Sequence, residues 1–61
     1  MRDDVVHELN NLLHTILGYT DIALRAQAPG SRAVVPLEEV QTAARRAAAL
    51  TEQLLALGEE G

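Results

Sequence analysis

His7 is the residue of this sequence best suited to chemistry, because helical periodicity places it on a polar face. When the first segment is wound at about 100° per residue, a set of mainly polar side chains falls within roughly 40° of one line. This polar stripe comprises His7, Asn11, His14, Gly18, Asp21 and Arg25. Apolar residues, among them Leu9 and Ile16, gather about the opposite line. Because a neutral imidazole is a nucleophile near neutral pH, the pattern predicts an accessible, reactive histidine.

Two neighbours of His7 could assist that chemistry. Glu8 offers a carboxylate that could bond one ring nitrogen, fix the tautomer and make the other nitrogen a better nucleophile. Adjacent residues diverge by about 100° on a helix, so Glu8 must curl back to reach the ring. Asn11 lies one turn further along, where its amide could orient a water molecule or a phosphoryl oxygen. The residues alone leave a second interpretation open, in which His7 is an ordinary exposed polar side chain without a chemical role.

Metal and nucleotide sites are not expected in this chain. A helical zinc pair needs two histidines four residues apart, but Asn11 stands at that position after His7. His14 is two turns from His7, roughly 10 Å along the axis, which is too far to share one ion. The glycines are scattered, so there is no glycine-rich phosphate loop. We therefore expect no metal and no bound cofactor, and any phosphoryl donor must be held by another domain.

Size and composition indicate one small domain that needs a partner. A chain of 61 residues buries only about 60% of its unfolded surface. It has no cysteine, so no disulfide can stabilise it. Because 48% of its residues are hydrophobic, a partner is needed to cover the apolar surface. The net charge is −4 and there is no lysine, which argues against nucleic-acid binding. The first residues do not resemble a signal peptide and no run approaches roughly 20 apolar residues. We therefore expect a cytoplasmic domain without direct membrane contact, in a parent protein that could be either membrane-anchored or soluble.

Periodicity and helix-breaking residues predict an antiparallel helical hairpin. The expected elements are a first helix at about 4–27, a loop at about 28–35 and a second helix at about 36–57. Asp3 or Asp4 is expected to cap the first helix, Pro36 to lie in the first turn of the second, and Gly58 to end it. Counting outward from the loop places His7 level with about Ala56.

The second helix has an apolar face wider than a two-stranded seam requires. One row advances in alternating steps of three and four through Leu37, Val40, Ala44, Ala47, Thr51 and Leu54. A second row beside it comprises Ala43, Leu50 and Leu57. A helix in a four-helix bundle contacts two neighbours. The predicted fold class is therefore all-α: an antiparallel helical hairpin that dimerises into a four-helix bundle.

Two stretches, one from each helix, resemble a known family. Residues 7–19, His-Glu-Leu-Asn-Asn-Leu-Leu-His-Thr-Ile-Leu-Gly-Tyr, resemble the phosphoacceptor box of two-component sensor histidine kinases. Residues 43–56, Ala-Ala-Arg-Arg-Ala-Ala-Ala-Leu-Thr-Glu-Gln-Leu-Leu-Ala, resemble the second helix of the same dimerisation and histidine-phosphotransfer domain. Because the resemblance covers nearly the whole chain, residues 1–61 are interpreted as one such domain, without the ATP-binding and sensor domains.

The resemblance implies a role for each polar residue around His7. In that family the histidine accepts the γ-phosphoryl group of ATP, which is held with Mg²⁺ on a separate catalytic domain, and passes it to an aspartate of a response-regulator receiver domain. His7 would be the acceptor, Glu8 would polarise the imidazole and take its proton, and Asn11 would position water in a phosphatase reaction. Leu12 stands where many members have proline, so no proline kink is expected. The domain would be a homodimeric component of a phosphotransferase, inactive by itself.

A receiver domain is expected to dock below His7, on both helices. The predicted surface comprises Leu17, Gly18, Asp21, Ile22, Ala48, Ala49 and Glu52. Ile22 lies about 60° from the polar stripe and is the best single contact candidate, although it could be an ordinary exposed apolar residue. Two other functions stay open: a phosphorelay protein of the same shape without its own kinase, and a purely structural dimerisation hairpin in which His7 is incidental.

Overall fold

Two antiparallel helices make up the described part of the chain. The computed structural model describes the backbone of residues 2–60 and the side chains of residues 4–58. Helix α1 (Arg2–Arg25) and helix α2 (Val34–Glu60) pack against each other in a body measuring 48 × 14 × 11 Å. The turn at residues 26–33 reverses the chain between them. The predicted all-α helical hairpin is confirmed.

The helix ends differ from the expected positions by two or three residues. Helix α1 begins and ends two residues early, whereas α2 begins two residues early and ends three residues late. Asp4 consequently lies in the first turn of α1 and not at its cap, and the side chain of Asp3 lies outside the described ones. The predicted stop at Gly58 is wrong, because α2 runs through it and Gly30 is the glycine with a positive φ, 81°, among the described residues. A glycine can adopt helical backbone angles at a cost of about 1 kcal/mol relative to alanine. The two residues after Gly58 are both glutamate, which does not interrupt a helix as proline would.

Ser31 explains why α2 begins before Pro36. Its Oγ accepts a hydrogen bond from the N–H of Ala33 at 3.1 Å and donates one to Oε1 of Gln27 at 2.6 Å. Nε2 of Gln27 in turn donates to the carbonyl of Ala23 in α1 at 3.1 Å. A serine oxygen bonded to the N–H two residues further along stabilises the turn that leads into α2. Pro36 still falls in the first turn, as predicted, where its missing N–H costs nothing.

The helices meet along one seam of regularly spaced side chains. In α1 the seam positions advance in alternating steps of four and three: Val6, Asn10, Leu13, Leu17, Thr20 and Leu24. In α2 they are Val34, Leu37, Gln41, Ala44, Ala48, Thr51 and Leu55. Ala44 and Ala48 are the buried apolar residues among those described, and their small side chains let the helices approach closely.

One hydrogen bond across the seam sets the register near the open end of the hairpin. Oγ1 of Thr51 donates to Oδ1 of Asn10 at 2.9 Å. His7 lies three residues before Asn10, and Leu54 lies three residues after Thr51, so these two positions are approximately level. The expectation that His7 is level with Ala56 was off by two residues.

A second apolar row on each helix has no cover within the hairpin. In α1 the exposed large apolar side chains of this row are Val5, Leu9, Leu12, Ile16 and Tyr19. In α2 they are Val40, Leu50, Leu54 and Leu57. Despite this apolar surface, neither helix is, over the residues described, long and apolar enough to span a bilayer.

Candidate functional site

A shallow groove surrounds His7 on the outer side of α1. It has a volume of about 320 Å³ and is open to solvent. Its lining residues, which together we call the His7 groove, are Asp4, His7, Glu8, Asn11, Leu12 and Thr15. His7, Glu8 and Asn11 are all exposed, in keeping with the polar stripe found in the sequence. The groove therefore presents an imidazole, a carboxylate and an amide together to any molecule that approaches this face.

Glu8 lies between two depressions of the surface. Besides the His7 groove, it lines a mainly apolar depression of about 270 Å³ together with Val5, Leu9 and Leu12. Among residues 4–58 no hydrogen bond or ion pair joins Glu8 to His7. Neighbouring positions on a helix diverge by about 100°, so Glu8 must swing toward the ring to bond it. The assistance of Glu8 to His7 thus stays a prediction from the sequence.

Asn11 and Thr15 form the part of the groove below His7. Oγ1 of Thr15 donates to the carbonyl oxygen of Asn11 at 3.0 Å, which holds the threonine side chain against its own helix. The amide of Asn11 is exposed one turn from His7. Helix α1 passes Leu12 without interruption, as expected where proline is absent.

His14 is exposed two turns below His7 and has a defined hydrogen bond. Its Nδ1 lies 2.8 Å from the carbonyl oxygen of Asn10, four residues earlier in the same helix. A carbonyl oxygen only accepts hydrogen bonds, so Nδ1 carries a proton in this contact. His14 is thus held by the backbone of α1, whereas no such bond is found for His7 among the described residues.

Helical periodicity missed the inward polar residue Asn10. The exposed fraction of its partner Thr51 is 3%. Oγ1 of Thr51 lies 2.9 Å from Oδ1 of Asn10 and 2.7 Å from the carbonyl oxygen of Ala48, so its single proton has two available acceptors. The signal was present in the sequence, because a threonine in an otherwise apolar row requires a hydrogen-bond partner when buried.

The predicted docking residues do not all reach the surface. The exposed members are Gly18, Ile22, Ala49 and Glu52. Ala48 is buried and Leu17 is half-buried, because both lie in the seam between the helices, and this corrects their placement on an outer surface. Asp21 is half-buried, and its carboxylate accepts a hydrogen bond from Nε of Arg25 at 3.1 Å. The accessible part of the predicted docking surface is therefore narrower than expected.

The described residues form an antiparallel hairpin with an exposed histidine near its open end and an uncovered apolar face. The chain belongs to the His Kinase A (phospho-acceptor) domain family, whose model matches residues 3–60. Domains of this family serve histidine kinases as phosphoacceptor and dimerisation elements, so the resemblance found in the sequence is confirmed. No curated protein and no solved structure matched the chain.

Proposed function

We propose that His7 accepts the γ-phosphoryl group of ATP and passes it to an aspartate of a response-regulator receiver domain. The ATP, with its Mg²⁺, would be held by a separate catalytic domain of the parent kinase. The observation that carries the proposal is the exposure of His7 in an open groove, on a chain that belongs to a phosphoacceptor family. An acceptor that serves two large partners in turn must be reachable from solvent, and His7 meets that requirement.

Each polar residue of the His7 groove has a distinct part in this proposal. A ring nitrogen of His7 attacks the γ-phosphorus, the bond to the bridging oxygen breaks, and ADP leaves. Glu8 takes the proton from the other ring nitrogen, so the phosphorylated ring need not remain cationic. Asn11 orients a water molecule when the same face removes phosphate from a regulator.

The arrangement of apolar rows supports a homodimer. In each helix the uncovered row lies one residue before the seam row: Leu9 precedes Asn10, and Leu50 precedes Thr51. A one-residue offset corresponds to about 100° around a helix. Neighbours of a helix in a square four-helix bundle also lie about 90° apart, so each helix has one face for its partner in the hairpin and one for another helix.

The antiparallel direction of the helices brings both uncovered rows to the same side. The rotation from seam row to uncovered row has the same sense in α1 and α2 when each is viewed along its own direction. Because α2 runs opposite to α1, the two rotations turn both rows toward one side of the hairpin. The exposed fractions in this face are substantial, for example 53% at Leu12 and 54% at Leu54. A second copy that presents the same face would cover it and complete the bundle.

Such a dimer would leave the reactive side open. His7 lies on the opposite side of α1 from Leu9, so the second copy would not cover the imidazole. Glu8 borders the apolar depression and would lie at the edge of the dimer interface. We propose that the receiver docks on the remaining exposed surface around Gly18, Ile22 and Ala49.

Phosphorylation by the parent catalytic domain tests the proposal. The dimeric domain is incubated with that catalytic domain and ATP, and we expect an acid-labile, base-stable phosphate that His7→Ala abolishes. Arg32→Ala, an exposed change in the distant turn, should leave the labelling unchanged. Glu8→Gln should slow the labelling by about a hundredfold or more, the usual contribution of a general base. Absence of label on a folded, dimeric domain would overturn the proposal and favour a purely structural hairpin.

A further inference from the structure

The ring of His14 makes a hydrogen bond that the proposed role of His7 does not use. Its Nδ1 lies 2.8 Å from the carbonyl oxygen of Asn10, and its side chain is exposed. Since the carbonyl can only accept, the proton of the neutral ring is on Nδ1. The lone pair of the neutral ring is then on Nε2, the nitrogen that does not bond the backbone.

The bond that orients His14 belongs to the helix itself. Residue 10 and residue 14 are four apart, so the backbone N–H of His14 and its Nδ1 both point to the carbonyl of Asn10, which has two lone pairs. The side chain of Asn10 meanwhile bonds Thr51 of α2, which anchors this turn of α1 to its neighbour. The hydrogen bond to the backbone therefore favours the tautomer of His14 that carries its proton on Nδ1.

We propose that Nε2 of His14 is a second phosphoacceptor atom in this domain, open to small phosphoramidates. The step needs no further reagent. The Nε2 lone pair attacks phosphorus, the P–N bond of the zwitterionic phosphoramidate breaks, and its electron pair leaves with ammonia. The Nδ1 proton stays on the ring and continues to bond the carbonyl of Asn10. This acceptor is independent of ATP and of the catalytic domain that His7 requires.

The retained proton also determines how the phosphorylated ring behaves. When the phosphoryl group is transferred from Nε2 of a ring that keeps its Nδ1 proton, the ring leaves as neutral imidazole. Neutral imidazole is a better leaving group than imidazolate. The hydrogen bond to the carbonyl of Asn10 requires that Nδ1 keep its proton.

The nitrogen that becomes phosphorylated distinguishes this site from a freely rotating surface histidine. The ¹⁵N-labelled domain is incubated with potassium phosphoramidate at about pH 8, where an ordinary imidazole is neutral. The phosphorylated atom is assigned by long-range ¹H–¹⁵N correlation together with ³¹P spectra. In the folded His7→Ala variant we expect phosphate on Nε2 of His14 alone. In the same variant unfolded in urea, where the bond to Asn10 is lost, we expect phosphate on both ring nitrogens.

Other outcomes contradict the proposal directly. Phosphate on Nδ1 of His14 in the folded domain, or a folded wild type labelled at His7 but not at His14, would overturn it. His14→Ala should remove the second signal while circular dichroism shows the helices unchanged. Labelling of His7 by ATP and the catalytic domain is a separate reaction, so either proposal can fail while the other stands.

Discussion

Oγ1 of Thr51 and Oδ1 of Asn10 lie 2.9 Å apart across the seam between α1 and α2, one turn of helix from His7. This contact joins the turn of α1 that follows His7 to a defined position along α2. The hydroxyl has an alternative acceptor in the carbonyl of Ala48 at 2.7 Å. The hydroxyl of Thr51 therefore keeps a hydrogen-bond acceptor if Asn10 moves away. The bond to Asn10 can favour one register of the helices without leaving a buried, unpaired hydroxyl in another register.

Removal of the Thr51 hydroxyl should weaken the hairpin by a measurable amount. Thr51→Val keeps the branched shape and deletes the donor, so we expect the free energy of unfolding to fall by about 1 kcal/mol. Thr42→Val, an exposed change in the same helix, should alter it by less than about 0.5 kcal/mol. The measurement is urea denaturation at one protein concentration, since the stability of a dimer depends on concentration.

A double-mutant cycle shows whether the Asn10 bond is the cause. Asn10→Ala and Thr51→Val combined should cost less than the sum of the two single changes, with a coupling of about 0.5–1.5 kcal/mol. Additive effects would mean that Thr51 is stabilised by the carbonyl of Ala48 alone. The register between α1 and α2 near His7 would then depend on apolar packing.

Replacement of two glycines by alanine should change the free energy of unfolding in opposite directions. A Cβ added at Gly18, in the middle of α1, meets no atom within 4 Å, so Gly18→Ala should raise the free energy of unfolding by about 0.5–1 kcal/mol. Gly30 has a φ of +81°, which alanine adopts only with strain, so Gly30→Ala should lower it by about 1 kcal/mol. Thermal unfolding of both variants and of the wild type measures these changes in stability. A destabilising Gly18→Ala would show that something outside the hairpin approaches this position closely.

Two isoleucines of α1 offer a matched test of the proposed dimer face. Ile16 belongs to the uncovered apolar row and is 44% exposed, whereas Ile22 lies toward the polar stripe and is 62% exposed. Burial of one isoleucine contributes about 1.5–3 kcal/mol, and a symmetric dimer buries it twice. Ile16→Glu should therefore raise the dimer dissociation constant by at least about a hundredfold, and Ile22→Glu should not.

Sedimentation equilibrium over a range of concentrations gives both dissociation constants. A wild type that is monomeric at all concentrations would contradict the four-helix bundle. Equal effects of Ile16→Glu and Ile22→Glu would place the interface elsewhere on the hairpin.

The sequence predicted the hairpin and the exposure of His7 because both depend on a strong period. Polar and apolar residues separate cleanly on α1, so the polar stripe and its imidazole could be placed without coordinates. The prediction treated the apolar side of α1 as one sector, however, although it contains two rows about 100° apart. For that reason Leu17 was placed on an outer surface, when the hairpin uses it in its seam. Ala48 belonged to neither of the two rows predicted for α2, yet it also lies in the seam.

Individual hydrogen bonds account for two further differences between the prediction and the structure. Ser31 and Gln27 stabilise the turn just before α2, so that the helix begins ahead of the proline signal at Pro36. The vertical register depends on Asn10 and Thr51, a pair that is 41 residues apart in the chain. Hydrophobic periodicity and helix propensity describe each helix by itself, so they cannot predict the register between the two helices.

The narrowed docking surface yields the last prediction. Ile22 is the large apolar residue on the accessible part of that surface, near Gly18 on the polar stripe. Loss of one apolar contact worth about 1.5 kcal/mol corresponds to about tenfold in affinity. Ile22→Glu should therefore raise the KM for the receiver at least tenfold in phosphotransfer from phosphorylated His7, with little change in kcat.

Val35 provides the control for that experiment. It is exposed to a similar extent, 66%, but lies in the first turn of α2, at the far end of the hairpin from His7. Val35→Glu should leave the KM for the receiver unchanged, and both variants should still be labelled by ATP and the catalytic domain at the wild-type rate. An unchanged KM in Ile22→Glu would show that the receiver binds a different face of the hairpin. A matching rise in Val35→Glu would point instead to general repulsion between added negative charge and the receiver.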